Sequence, residues 1–146
     1  MKPPLAVVDT NVVVSGLITG EPESPTCQVL DGMLAGRFPF LLSLDLLAEY
    51  REVLLRPKIQ KLHGLREAEV DAVLAALTAN GITREPPRSP GKTDSGGDDH
   101  LWALLATQPE AVLVTGDRAL TDRPPAWAQV LSPRAFCDRH PSRNRR

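Results

Sequence analysis

The stretch Leu5-Ala6-Val7-Val8-Asp9-Thr10-Asn11 decides the fold of this chain. Its four consecutive apolar residues predict a short strand that is buried on both faces, as strands of a parallel sheet are. Asp9 places a carboxylate directly after that strand. In open parallel sheets, ligands bind in the crevice outside the carboxyl ends of the strands. Asp9 therefore stands where a functional residue of an α/β protein is expected.

Three other acids lie either at the end of an apolar segment or in a helix-like stretch. Asp117 follows the apolar run 111–114, Glu49 lies at the edge of an amphipathic helix pattern, and Asp99 begins the apolar helix pattern 101–106. If the strands are parallel, these side chains can converge on one crevice. Grouped carboxylates repel one another unless a cation neutralises them, and hard divalent metals are their natural partners. The set therefore predicts metal-dependent phosphodiester chemistry.

Helix and strand patterns alternate along the chain, which predicts a three-layer α/β/α sandwich with a mainly parallel central sheet. The segment 12–18 stays open, because its valines favour a strand whereas Gly16 favours a helical turn. The Pro/Gly/Ser-rich segment 86–97 predicts a long loop of the kind that is often functional or mobile. The predicted strands are 5–8, 38–42, 82–84, 111–114 and 129–131, and the predicted helices are 25–35, 43–56, 66–79, 98–107 and a short one from 133.

Length and composition indicate one ordinary globular domain, which we expect at 1–138, followed by a basic tail at 139–146. The 17 Lys and Arg residues nearly balance the 18 Asp and Glu residues, so the net charge neither indicates nor excludes nucleic-acid binding. No apolar run approaches the roughly 20 residues that span a bilayer, and no signal peptide is evident. A cytoplasmic protein without membrane contact is the simplest expectation. Two cysteines are too few for a disulfide scaffold or a zinc site.

Each motif taken alone has a competing interpretation. Asp9-Thr10-Asn11 also fits a turn at a strand end, while Asn11 stands where a haloacid-type phosphatase needs a second aspartate. A receiver domain needs a lysine after a later strand, and none suits that role. Glu49 could be a solvated surface residue, and Asp98 or Asp99 could simply cap a helix. Gly91-Lys92-Thr93 resembles the end of a phosphate-binding loop, but Pro86 occupies the earlier glycine position.

Four motifs in order resemble the PIN-domain family, and most closely the bacterial PIN toxins of toxin–antitoxin systems. They are Val-Val-Asp-Thr-Asn-Val at 7–12, Leu-Leu-Ala-Glu-Tyr-Arg-Glu-Val at 46–53, Asp-Asp-His-Leu-Trp-Ala-Leu-Leu-Ala at 98–106 and Val-Thr-Gly-Asp-Arg-Ala-Leu at 114–120. The resemblance implies a PIN-like α/β/α fold and a Mg²⁺- or Mn²⁺-dependent ribonuclease. By position, the catalytic acids it implies are Asp9, Glu49, Asp99 and Asp117.

The resemblance also assigns supporting roles. Asp9, Asp99 and Asp117 would bind the metal, and Asp98 could take or share the third role. Asn11 and Thr115 would shape the site. Apart from the resemblance, substrate phosphates need a basic rim, and the candidates near the predicted strand ends or their loops are Arg84, Arg88, Lys92, Arg118 and Arg123.

RNA, a cognate antitoxin and a second copy of the chain in a homodimer are the partners that the resemblance implies. Two alternatives belong to other classes. One is a catalytically weak PIN scaffold that acts as an interaction partner. The other is a DNA-directed nuclease or a phosphatase.

Overall fold

The computed structural model describes residues 4–87 and 99–139, and its centre is a parallel sheet. The strands are β1 (Ala6–Val8), β2 (Leu41–Leu42), β3 (Ile82–Thr83), β4 (Val112–Val114) and β5 (Gln129–Leu131). Parallel pairs join β1 to β4, β4 to β5 and β2 to β3. A parallel bridge between Ala6 and Phe40 links the two groups. The order is thus β3-β2-β1-β4-β5, with all carboxyl ends at one edge.

Helices connect these strands. They are α1 (Thr10–Ile18), α2 (Pro25–Ala35), α3 (Leu44–Leu54), α4 (Pro57–His63), α5 (Glu67–Asn80), α6 (Asp99–Ala106), α7 (Arg118–Asp122) and α8 (Pro133–Arg139). The prediction of an α/β fold with a mainly parallel sheet is confirmed. Within the described ranges, none of these helices is long and apolar enough to cross a bilayer.

Local sequence signals set the ends of α2 and α3. The Ser24 hydroxyl accepts a hydrogen bond from the backbone N–H of Cys27, and Pro25 occupies the first turn. Gly36 ends α2 with a φ of 68°, which glycine adopts without steric penalty. The Ser43 hydroxyl caps α3 by accepting from the N–H of Leu46. These boundaries agree closely with the predicted ones.

The open segment 12–18 is helical. Helix α1 begins directly after Asp9, whose side chain accepts a hydrogen bond from the Thr10 N–H. Val12 and Val13 are buried, and that tertiary burial outweighs the strand preference of β-branched residues. The consequence for the site is that Asp9 lies at the junction of the central strand and a helix.

Two helices were not predicted. Pro57 directly follows the predicted helix 43–56, and it begins α4, because a proline is well suited to the first turn of a helix. Helix α7 is five residues long and lacks buried residues. The sequence therefore has no apolar periodicity from which this helix could be predicted. The predicted tail at 139–146 lies outside the described residues except for Arg139.

The packing of α1 against α2 gives a test of the fold. A Cβ atom at Gly16 would lie 2.8 Å from the Thr26 carbonyl oxygen and 2.9 Å from Leu30 Cβ. Because backbone cannot yield as a flexible side chain can, Gly16→Ala should lower the free energy of unfolding by about 1–3 kcal/mol, despite alanine's better helix propensity. Urea denaturation measures the change. Gly20→Ala, which meets nothing within 4 Å, is the matched control and should be nearly neutral.

Candidate active site

Strand register places Asp9 beside Thr115. Val8 pairs with Val114, and the Asp9 N–H donates to the Val114 carbonyl at 2.9 Å. Asp9 is only 6% exposed, so its carboxylate is largely removed from water at the carboxyl end of the sheet. A buried carboxylate must be paired or hydrogen-bonded to be tolerated there.

Thr115 supplies a directed hydrogen bond to that carboxylate. Its Oγ1 lies 2.7 Å from Asp9 Oδ2 and accepts a hydrogen bond from the Asp117 N–H at 3.0 Å. Since a carboxylate only accepts, the hydroxyl proton must point towards Asp9. Thr115 is fully buried. The loop that follows β4 thus fixes the orientation of the carboxylate that follows β1.

Asn11 connects the same two segments. Its Nδ2 donates to Asp9 Oδ2 at 3.3 Å, and its Oδ1 accepts from the Gly116 N–H at 3.1 Å. Asn11 and Thr115, the two polar residues expected to shape the site, therefore each contact both Asp9 and the loop that follows β4. Asp117 is exposed and caps α7 by accepting from the Ala119 N–H. Thr115 thereby links Asp9 to the backbone of Asp117, and Asn11 links Asp9 to Gly116.

Glu49 enters from α3, next to a buried tyrosine. The Tyr50 hydroxyl donates to the Val8 carbonyl at 2.6 Å, immediately before Asp9. Burial raises the pKa of Tyr50 well above its usual value, and the charges of Asp9 and then Glu49 raise it further. Both carboxylates are thus close enough to disfavour a phenolate. In the sequence, Tyr50 is simply one apolar position of the amphipathic pattern around Glu49, whereas its hydrogen bond to Val8 joins residues 42 positions apart.

His100 is a second residue that sequence reasoning missed. Its Nε2 lies 2.5 Å from Glu49 Oε1, across 51 residues of chain. The only signal was its place in Asp98-Asp99-His100, directly beside a predicted acid. Nothing in a linear pattern shows that α6 meets α3 at this point.

One cleft of about 490 Å³ gathers Asp9, Asn11, Glu49 and Asp117 from among the predicted residues. It is lined by Asp9, Thr10, Asn11, Val14, Ser15, Ile18, Thr19, Glu49, Val53 and Asp117. Three of the four predicted acids are therefore in its lining. Asp99 is not among them; it is exposed at the first position of α6.

The other predicted residues lie around or beyond this cleft. Arg84 directly follows β3 and Arg118 begins α7, so both are at the carboxyl edge of the sheet, and both are exposed. Arg123 directly follows α7 and is exposed too. Asp98, Arg88 and Lys92 lie outside the described residues.

The cleft has the donor chemistry of a hard cation site. Within residues 4–87 and 99–139, no three His, Cys, Asp or Glu side chains are grouped so that they could hold a metal ion together. Mg²⁺, however, usually keeps several waters and is held by one or two carboxylates. The buried Thr10 Oγ1 has no hydrogen-bond partner in the described part of the chain, which leaves an unsatisfied oxygen in the lining. The carboxylate, amide and hydroxyl oxygens among its lining residues fit a hydrated divalent cation.

The sheet order and the acidic cleft define an α/β domain whose polar residues gather at the carboxyl edge of a parallel sheet. The family model described as PIN domain matches residues 6–119, and the chain belongs to the PIN domain family. PIN domains are generally nucleases, and they generally use divalent metals. The comparison with curated proteins finds no significant match.

Proposed function

We propose that this protein is a Mg²⁺- or Mn²⁺-dependent endoribonuclease. One observation carries the proposal. In a PIN domain, a buried Asp9 at the end of the central strand shares a cleft with Glu49 and Asp117. Structural carboxylates on a protein surface have no reason to gather in this way, because their mutual repulsion destabilises the fold.

The residues of the cleft and its edge have different roles in the proposed reaction. Asp9 is held by Thr10, Thr115 and Asn11, so it is the fixed ligand of the site. Glu49 and Asp117 complete the acidic lining, directly or through water. When bound, the cation would supply charge neutralisation at the phosphodiester and make a water molecule easier to deprotonate. Arg84 and Arg118 are exposed at the same edge and would contact phosphates without reading bases.

A substrate panel tests the activity. Labelled single-stranded RNA, hairpin RNA and single-stranded DNA of matched sequence are incubated with Mg²⁺ or Mn²⁺, with and without EDTA. Cleavage of RNA that EDTA abolishes supports the proposal. Preferential cleavage of DNA would favour the DNA-directed nuclease, and neither cleavage nor metal binding would favour the interaction scaffold.

The resemblance to bacterial PIN toxins supports a narrower proposal: the protein is the cytoplasmic toxin of a toxin–antitoxin pair and acts as a homodimer. Induced expression in a bacterial host should arrest growth, and Asp9→Asn should relieve the arrest. A cognate antitoxin would restore growth when co-expressed and would co-purify with the wild-type protein. Growth arrest that persists in Asp9→Asn would contradict a toxin that acts by cleavage.

The third acid gives a separate prediction. We expect Asp99→Asn to reduce cleavage more than Asp98→Asn, because the PIN resemblance aligns Asp99 with the family acid and Asp99 begins α6 beside His100. Steady-state rates of the two variants on the same RNA decide between them. Equal losses, or a larger loss in Asp98→Asn, would show that the third acid is misplaced.

A further inference from the structure

We propose that His100 is a positioning residue that holds the Glu49 carboxylate in its working orientation. This inference rests on the proposed function, because it concerns the same acidic cleft. The observation that carries it is the hydrogen bond between His100 Nε2 and Glu49 Oε1, at 2.5 Å.

Glu49 needs such a partner more than Asp9 does. Asp9 has a short side chain that accepts hydrogen bonds from Thr10, Asn11 and Thr115 among the described residues. Glu49 has a longer, flexible side chain that is 34% exposed, so water competes for its oxygens. Its backbone is already fixed, because neighbouring Tyr50 bonds to Val8. The freedom that remains lies in the Glu49 side chain, and the contact with His100 removes it.

Within the described part of the chain, the His100 imidazole makes its hydrogen bond to Glu49 alone. Its other nitrogen, Nδ1, is buried and has no hydrogen-bond partner in the described part of the chain. A carboxylate only accepts hydrogen bonds, so the contact with Glu49 assigns a proton to Nε2. Helix packing alone does not require the N–H of a histidine to point at a carboxylate of the cleft, as that of His100 points at Glu49.

The hydrogen bond also selects the oxygen that Glu49 presents. Oε1 is occupied by His100, whereas Oε2 makes no hydrogen bond to any residue that the structure describes. Oε2 is therefore the atom left for a water of the hydrated cation. Polar neighbours of this kind orient metal-site carboxylates and waters, and their loss typically reduces metal affinity or activity by about 10- to 100-fold.

Two substitutions at one position separate positioning from packing. His100→Leu keeps bulk and removes the donor, whereas the side-chain amide of His100→Gln can donate to Glu49 from a similar reach. His63→Leu is the matched control, because His63 bonds only to the backbone of Leu54 and Leu65 among the described residues and does not line the cleft. The measurements are kcat and KM on single-stranded RNA, Mn²⁺ affinity by calorimetry, and the melting temperature.

We expect His100→Leu to lower kcat or Mn²⁺ affinity by about 10- to 100-fold with KM little changed. His100→Gln should recover most of that loss. His63→Leu should lower the melting temperature and leave kcat unchanged. Wild-type kcat and Mn²⁺ affinity in His100→Leu would overturn the proposal. An equal loss in both His100 variants, accompanied by a lower melting temperature, would also overturn it by showing a packing role.

Failure of the proposed function has a different signature. It would appear as a wild-type protein that cleaves no RNA in the presence of metal. The Mn²⁺ affinities of the wild type and the two His100 variants would then decide the positioning role by themselves. A wild-type protein that binds no Mn²⁺ would overturn both proposals.

Discussion

Asp9→Asn is expected to reduce RNA cleavage at least about 100-fold while the protein stays folded. Loss of an outer contact of a metal site already costs about 10- to 100-fold, and Asp9 is proposed as a direct ligand. The substitution removes its charge and replaces one oxygen with an NH₂ group. The remaining carbonyl is a much weaker ligand for a hard cation.

The fold should survive because the surrounding hydrogen bonds can adapt. The amide oxygen can keep the bond from the Thr10 N–H. The new NH₂ can donate to Thr115 Oγ1, which already accepts from the Asp117 N–H and has a second lone pair. The bond from Asn11 is lost and the Thr115 hydroxyl loses the acceptor for its own proton, at a combined cost of about 1–3 kcal/mol. Reduced repulsion from Glu49 and Asp117 offsets part of that cost.

Measured kcat on the best RNA of the substrate panel checks this prediction, together with circular dichroism and the melting temperature. Asp31→Asn is the control, because it makes the same chemical change at an exposed position of α2 outside the cleft. Wild-type cleavage in Asp9→Asn would remove Asp9 from the site. A lost activity with a lost fold would be uninformative about metal binding, and the similar size of the two side chains makes that result unexpected.

Divalent cations should raise the melting temperature of the wild-type protein. A ligand that binds only the native state stabilises it by RT ln(1 + [L]/Kd), about 2.7 kcal/mol at 100 times Kd. For a domain of this size that corresponds to roughly 5–11 °C. The rise comes from neutralising the acids of the cleft, so it should be much smaller in Asp9→Asn.

The experiment begins with protein treated with EDTA and dialysed, followed by titration with Mn²⁺ or Mg²⁺. Added NaCl at the same ionic strength controls for simple screening of surface charge. Asp31→Asn should keep the full response. A melting temperature that does not change across millimolar Mn²⁺ would contradict a catalytic acidic cleft and favour the interaction scaffold.

The main elements of the fold were predictable because their signals are local. The runs around β1 and β4 are uniformly apolar, and Ser24, Pro25 and Gly36 mark both ends of α2. Where local signals conflicted, tertiary burial decided. Segment 12–18 is a helix because Val12 and Val13 pack into the core. A five-residue helix such as α7 has too few turns to show periodicity.

The candidate site likewise contains residues that the sequence predicts and contacts that it does not. Acids at strand ends could be predicted, because parallel topology determines where such residues meet. The contacts of Tyr50 with Val8 and of His100 with Glu49 could not, since each joins residues more than 40 positions apart. The sequence contains both side chains, but their partners depend on how α3 and α6 pack. Arg88 and Lys92 remain predictions, as they lie outside the described residues.

The pairing of β1 with β4 has a consequence for synthesis of the chain. Asp9 and the Thr115 hydroxyl that orients it are 106 residues apart. At about 5–20 residues per second, the ribosome needs roughly 5–20 s to make the intervening chain. Throughout that interval Asp9 lacks Thr115 and Asp117, and β1 lacks its partner β4. An unfinished chain therefore lacks the assembled acidic cleft on which the proposed RNA cleavage depends.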